Sequence, residues 1–326
     1  MRRPHILCRS ASKEGDELKV SLKSVYVLLI ASCLSLLGFT MPSPALPEIR
    51  SQYSLHSWQT GLVASSMSAG MLFAVLFWPQ YSDTHGRRKV LMRSLFATSL
   101  LFGVQVLVLQ SPVRNFDNFR RFLIARSITG LFAGCNPVFK AYLADVVPSE
   151  RLPRFMVLRE ASATLAFIIG PTVGGFLTME YGIIGPFLAT CVAHLGGALL
   201  LLTCVEESER HASHVSSSAS SVEDELEKDD WSILLKVFAM SFFYVVSQTT
   251  FTFFTPLLLK DAFSLESRGI GMFLTATSFA VLIFQVVVYR PLERRLGLEQ
   301  TGCVGALTIF VGLLLISWPC AQPDKA

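Results

Sequence analysis

The sequence predicts an all-α, polytopic membrane protein with about nine transmembrane helices. Three observations carry that class. Hydrophobic residues make up 52% of the 326 positions and charged residues 16%, and mean hydropathy is +0.50. Soluble domains hold about 25% charge. Nine stretches, near 24–46, 58–79, 91–109, 122–143, 155–178, 183–205, 232–258, 269–289 and 301–319, approach the ~20 apolar residues that a helix needs to cross hydrocarbon. The third observation is that the connections between them gather Lys and Arg on alternate sides. Backbone amides in lipid must bond within their own segment, which makes these spans helices. The alternating polarity of a membrane barrel is absent.

The elements follow in order. Residues 1–23 carry Arg2, Arg3, Arg9, Lys13, Lys19 and Lys23 and read as a cytoplasmic N-terminal tail. The apolar run behind them is long enough to span, so it reads as a retained first helix and not a cleaved signal. Glu14, Asp16 and Glu17 interrupt the basic stretch and speak against a transit peptide. Six spans fill 24–205. The connections after the second, fourth and eighth spans hold Arg87, Arg88, Lys89 and Arg93, then Arg151, Arg154 and Arg159, then Arg290, Arg294 and Arg295. Alternation puts all of them beside the N-terminus, on the cytoplasmic side. Arg114, Arg120 and Arg121 dissent on the outer side, where long side chains reach the headgroups. Residues 206–231 are acidic and serine-rich, too polar to bury a core, and predict a disordered cytoplasmic linker. Residues 232–326 hold three further spans, a partial second bundle.

Some chemistries are excluded. Net charge of +4 sits at membrane edges, where it meets anionic lipid, and no basic soluble module for nucleic acid is present. Of the seven cysteines none forms a Cys-x-x-Cys pair, so they read as packing residues. His211 and His214 lie in the linker and read as solvated, which leaves no metal site and no cofactor. No nucleotide loop or hydrolase motif occurs, so the chain is not expected to be an enzyme.

Four features remain. Ser82-Asp83-Thr84-His85-Gly86-Arg87-Arg88-Lys89 joins the second and third spans. Gly86 permits a tight turn, Asp83 can accept backbone N–H groups near a helix end, and the cations hold the turn at the headgroups. A weaker echo, Arg290 with Glu293, Arg294 and Arg295, follows the eighth span. Arg126 lies inside the fourth span, four residues before Gly130. An intramembrane arginine faces a cavity or a partner, or snorkels to the edge. The fifth span holds Gly170-Pro171-Thr172-Val173-Gly174-Gly175, small residues for close helix approach with a proline that removes a helical hydrogen bond. Gln248, Thr249 and Thr250 stand among phenylalanines in the seventh span, where they could line a cavity or bond between helices. Lys140 reads as snorkelling. His194 titrates in a useful range but equally suits a packed polar role. No span carries a carboxylate near its middle; Glu48, Asp145 and Glu160 lie towards the ends.

These motifs resemble those of the major facilitator superfamily, across nearly the whole chain and most specifically from the second to the fifth span. The loop is similar to the family's Gly-x-Leu-Ala/Gly/Ser-Asp-Arg-x-Gly-Arg-Arg/Lys pattern: Ser82, Asp83, Gly86, Arg87 and Arg88 match, while Pro79, Tyr81 and Thr84 depart. Arg126 and Gly130 match Arg-x-x-Gln-Gly, with Thr129 in place of Gln. Gly170, Pro171, Gly174 and Gly175 match Gly-Pro-x-x-Gly-Gly, the mark of the drug:proton antiporter branch that includes tetracycline-resistance proteins. The resemblance implies secondary transport by alternating access, with a small-molecule solute, membrane lipid around the chain and protons as the coupling ion. Asp83, Gly86, Arg87 and Arg88 would act as a conformational gate. Arg126 and Gly130 would serve coupling or substrate, and the glycine motif would be a packing seam. Two six-helix halves require twelve spans, so against the family's pattern the sequence reads as lacking the last three helices. The alternative is a non-transporting remnant, or an interaction partner of a full-length transporter.

Overall fold

A computed structural model describes residues 5–111, 116–205, 252–284 and 290–320, with residues 207, 231, 235, 238, 239, 242, 287 and 288 placed singly elsewhere. Every regular element among them is helical: α1 (His5–Thr40), a 3-10 turn (Ser43–Ala45), α2 (Leu46–Gln52), α3 (Ser57–His85), α4 (Arg87–Gln110), α5 (Phe116–Ala133), α6 (Asn136–Val146), α7 (Leu152–Tyr181), α8 (Ile184–Cys204), α9 (Ser267–Phe284) and α10 (Arg290–Cys320). Residues 252–263 are helical as well.

Local chemistry sets the boundaries. Pro42, Pro44 and Pro47 withdraw three amides in succession, so the helix of α1 tightens at the 3-10 turn and restarts as α2 with proline in its first turn. His56 caps α3, its N–H donating to Gln59 Oε1 at 2.8 Å. Gly86 closes α3 and opens α4 at φ +91°, a conformation that glycine adopts without strain. The predicted span 122–143 is two helices. Pro137 has no amide to continue the ladder, so α5 ends at Ala133 and α6 begins at Asn136.

Among the described residues, seven helical segments are long and apolar enough to cross a membrane: Lys23–Gln52, Ser57–His85, Arg87–Gln110, Asp117–Val146, Leu152–Tyr181, Ile184–Cys204 and Ser267–Phe284. They coincide with the first six predicted spans and the eighth. A shorter apolar helix, Gln300–Gly312, falls in the ninth. Most of the seventh predicted span lies outside the described residues.

The described residues form two compact units. The first holds residues up to Glu225 with Thr252–Thr275; the second holds Leu226–Phe251 and Ala276–Ala326. In the first, α1 packs on α7 and α8, α4 on α5 and α8, and α3 on α5. Its core has two parts. Val25, Leu28, Leu91, Leu95, Phe139, Tyr142 and Leu201 fill the end nearest the α3–α4 loop. Leu46, Val63, Phe102, Phe122 and Phe187 fill the opposite end. Leu72, Leu76, Leu100, Leu107, Val192 and Leu199 point outward and are exposed. An apolar exterior of this extent suits lipid and not water.

Candidate functional site

The α3–α4 loop is tied down on both flanks. Arg87 pairs with Asp83 one turn earlier at 3.2 Å and with Asp145 at the end of α6. Arg87 and Asp145 are largely shielded, with side chains 13% and 22% exposed, whereas Asp83 is about half open. A charge-assisted pair in that shielded position outweighs the open one. Arg88 turns the other way. Its Nε donates to the Leu201 carbonyl at 3.1 Å and its Nη2 to that of Leu202 at 2.6 Å, fastening α4 to the last turn of α8. The Arg88 backbone N–H donates to Glu207 at 2.9 Å, so a carboxylate just past α8 caps the N-terminus of α4. A Cβ on Gly86 would meet that carboxylate at 2.8 Å.

Arg126 sits where α3, α5 and α8 converge. Its Nε donates to the Val63 carbonyl at 2.8 Å, and its guanidinium lies 6.0 Å from the centre of the Phe187 ring. It points into the bundle and does not snorkel. One turn on, Gly130 meets α3 backbone to backbone: an added Cβ would fall 2.0 Å from the Met67 carbonyl oxygen. Thr129, which stands in place of the family's glutamine, is buried and accepts a 2.7 Å bond from Gln105 Nε2 on α4. An amide therefore reaches this position from a neighbouring helix.

The glycine motif divides between two partners. Gly170 and Gly174 face α1, where a Cβ would fall 1.9 Å from Thr40 Oγ1 and 1.9 Å from the Met41 carbonyl oxygen. Thr40 Oγ1 also donates to the Ala166 carbonyl at 3.1 Å. Gly175 faces α9, where a Cβ would fall 2.4 Å from the Ser267 carbonyl oxygen. Gly271 returns the contact at 2.3 Å from the Pro171 carbonyl oxygen, and Thr172 bonds Thr275 across the same contact.

Further charges meet in pairs. The Lys140 Nζ lies 3.1 Å from Glu160 of α7, with both side chains about half exposed. Arg159, 5% exposed, donates to Glu160 Oε1 at 2.8 Å and to Asn136 Oδ1. At the opposite end, Glu48 pairs with Lys260 at 2.9 Å and Arg50 with Asp261 at 2.5 Å. Sequence reasoning missed these partners, together with Asp145 and Glu207. His194 is buried, its Nδ1 2.9 Å from the Thr190 carbonyl and its ring near that of Phe102. Gln248, Thr249 and Thr250 lie outside the described residues.

Comparisons with known proteins bear on the family and the fold. A family profile described as Major Facilitator Superfamily matches residues 28–323. Multidrug resistance protein 2 of Bacillus subtilis (strain 168) is 23% identical over 310 residues, which cover 90% of this chain and 74% of that protein. Tetracycline resistance protein, class H, of Pasteurella multocida is 23% identical over 307 residues, covering 91% and 73%. Among solved structures, a D-xylose-proton symporter superposes with a TM-score of 0.66 at 15% identity, over 83% of this chain and 70% of that one. A bacterial homolog of the human lysosomal transporter Spinster, inward-facing and unoccupied, gives 0.66 at 14% identity, over 85% and 63%.

Proposed function

The chain belongs to the major facilitator superfamily, and we propose that it moves a small organic solute across the membrane by alternating access, in exchange for protons. It is a multi-pass membrane protein of a transporter family and not an enzyme. The glycine motif on α7 supports the antiporter reading, as does likeness to proteins named for multidrug and tetracycline resistance. The loop residues Asp83, Gly86, Arg87 and Arg88 serve as the gate on the cytoplasmic side, the side that also holds the N-terminus.

Arg126 carries the proposal. A guanidinium inside a span is costly and is retained for function or for a partner. Among the described contacts, Arg126 has a main-chain carbonyl and an aromatic face but no carboxylate within ion-pair distance. Its charge therefore remains to be met by a solute group or by a change of protonation elsewhere.

Reconstituted protein tests this reading. Flux of a fluorescent organic compound into liposomes is measured with and without a pH gradient. A gradient-driven flux is expected, and Arg126→Ala should abolish it while the variant still inserts and purifies as a monodisperse species. Arg126→Lys keeps the charge and loses the planar fork, so it should retain partial activity. Undiminished transport by well-inserted Arg126→Ala removes the assignment, and flux indifferent to the gradient removes proton exchange.

A further inference from the structure

We propose that the cluster of Asn136, Lys140, Arg159 and Glu160 is a binding site for the anionic group of the transported solute. The proposal rests on the transport reading and names the solute's chemistry: a carboxylate, sulfonate or phosphate carried on an organic body.

The first observation is charge. Lys140 and Arg159 share a single carboxylate, and both bonds go to the same oxygen, Glu160 Oε1. Two cations to one anion leave a net positive charge, which a monoanion neutralises. Arg159 is buried at 5% exposure and its Nε has no hydrogen-bond acceptor, so the carboxylate does not fully compensate it. The Lys140 side chain is 51% exposed and offers free N–H donors to whatever lies in front of it.

The second observation is depth. Glu160 stands eight residues into α7, about 12 Å at 1.5 Å per residue. α7 runs 30 residues, about 45 Å against a hydrocarbon core of about 30 Å. Centred in the bilayer, the helix places Glu160 a few ångströms inside that core.

The third observation is direction. At about 100° per residue, Glu160 falls between Gly174, which faces the end of α1, and Pro171 and Gly175, which meet α9. Leu158, Leu165, Ile169 and Phe176 form a separate apolar stripe, roughly 150° round the helix, and Leu158, Leu165, Ile169 and Phe176 are exposed. Exposed Val157 and Phe167 lie on the same flank as Glu160, so the ion pair opens beside apolar side chains. An open charged pair at this depth is tolerated where it lines water, the medium through which a solute arrives. Arg159 holds Glu160 from behind, and Lys140 is the group within reach.

The test uses the full chain in a neutral detergent and in phosphatidylcholine liposomes. Fluorescein serves as the aromatic anion and ethidium as an aromatic cation. Fluorescein should raise the thermal unfolding midpoint in a saturable way and enter the liposomes, and ethidium should do neither. Lys140→Gln removes one charge-assisted bond and should weaken fluorescein binding about tenfold, while Lys140→Arg retains it. Glu160→Gln raises the positive charge and should tighten binding severalfold, a gain that a purely structural role does not produce. Unchanged fluorescein affinity in Lys140→Gln overturns the site, as does unchanged or weaker affinity in Glu160→Gln. Selectivity for ethidium also overturns it. So does stabilisation by phosphatidylglycerol through Lys140 with none by fluorescein, which would assign the charge to lipid. Anion binding with no flux of either dye sinks the transport reading and keeps the site. Ethidium flux without fluorescein binding does the reverse.

Discussion

Substituting Gly174 with alanine should separate two helices whose backbones touch. A Cβ there would lie 1.9 Å from the carbonyl oxygen of Met41 and 2.7 Å from its carbonyl carbon. Real Cβ contacts essentially never fall under 3.0 Å, so α1 and α7 must move apart by about 1.1 Å along that line. The obstacle is main chain, and no rotamer relieves it. The displacement also stretches the Thr40 bond to Ala166, which crosses the same contact at 3.1 Å. Overpacking of this kind costs about 1–3 kcal/mol, a factor of about 5 to 140 in the folding equilibrium at about 1.4 kcal/mol per decade. Gly196 on α8 is the control, because a Cβ there meets nothing within 4 Å. Gly196→Ala should be neutral or slightly stabilising, since alanine is the better helix former. Purified variants are compared by reversible unfolding in mixed micelles. Equal stability of Gly174→Ala and Gly196→Ala, within about 0.5 kcal/mol, would refute the close contact between α1 and α7.

Two other outcomes follow from the charge pairs. A double-mutant cycle on Arg87→Ala and Asp145→Asn should return a coupling of about 1.5–3 kcal/mol for a charge-assisted bond, against no more than about 1 kcal/mol for Arg87 with the open Asp83. A larger coupling to Asp83 would reverse the ranking of the two contacts. At the opposite end, Glu48→Lys should lower unfolding stability by about 1 kcal/mol or less, and combining it with Lys260→Glu should restore it. The loss should shrink in molar salt, and a defect that the second substitution leaves unrelieved would show that the pair does not form.

The fold was legible because membrane spans are written locally. Length and polarity place α4, α7 and α8 to within a few residues, since no other structure satisfies their amides in lipid. α3 runs on to His85, past the predicted end at 79, and α1 is helical from His5, through residues that hydropathy alone reads as a tail. The break before Asn136 was readable from Pro137, but the surrounding apolar run concealed it. The loop and the glycine motif were also local patterns. Their partners were not. Asp145 lies 58 residues from Arg87, and Glu207 lies 119 from Arg88, in a stretch whose composition reads as linker. Lys140 and Glu160 are brought together by the packing of α6 on α7. Hydropathy says that a charge inside a span needs a partner, but the choice of partner is made by helix packing, and helix packing is not periodic along one segment.

α7 gathers three of these contacts on one rigid element. Its Gly174 meets the main chain at the end of α1 and its Gly170 the Thr40 side chain, so α7 cannot shift against α1 without the cost worked out above. Its Pro171, Thr172 and Gly175 side meets α9, through glycines on both helices and one hydroxyl pair. Small residues bring the two backbones close there, with few interlocking side chains. Glu160 lies between these two sides of the helix, about 18 Å below Thr172 at 1.5 Å per residue. A solute group that draws on Lys140 and Arg159 would therefore act on the helix that also carries both glycine contacts. Alanine at Gly175 or Gly271 should lose stability as at Gly174, because the obstacle is again main chain, and should change transport as well. Stability losses at Gly175 and Gly271 with transport by the inserted protein unchanged would show α7 to be a uniformly packed strut with no role in the motion.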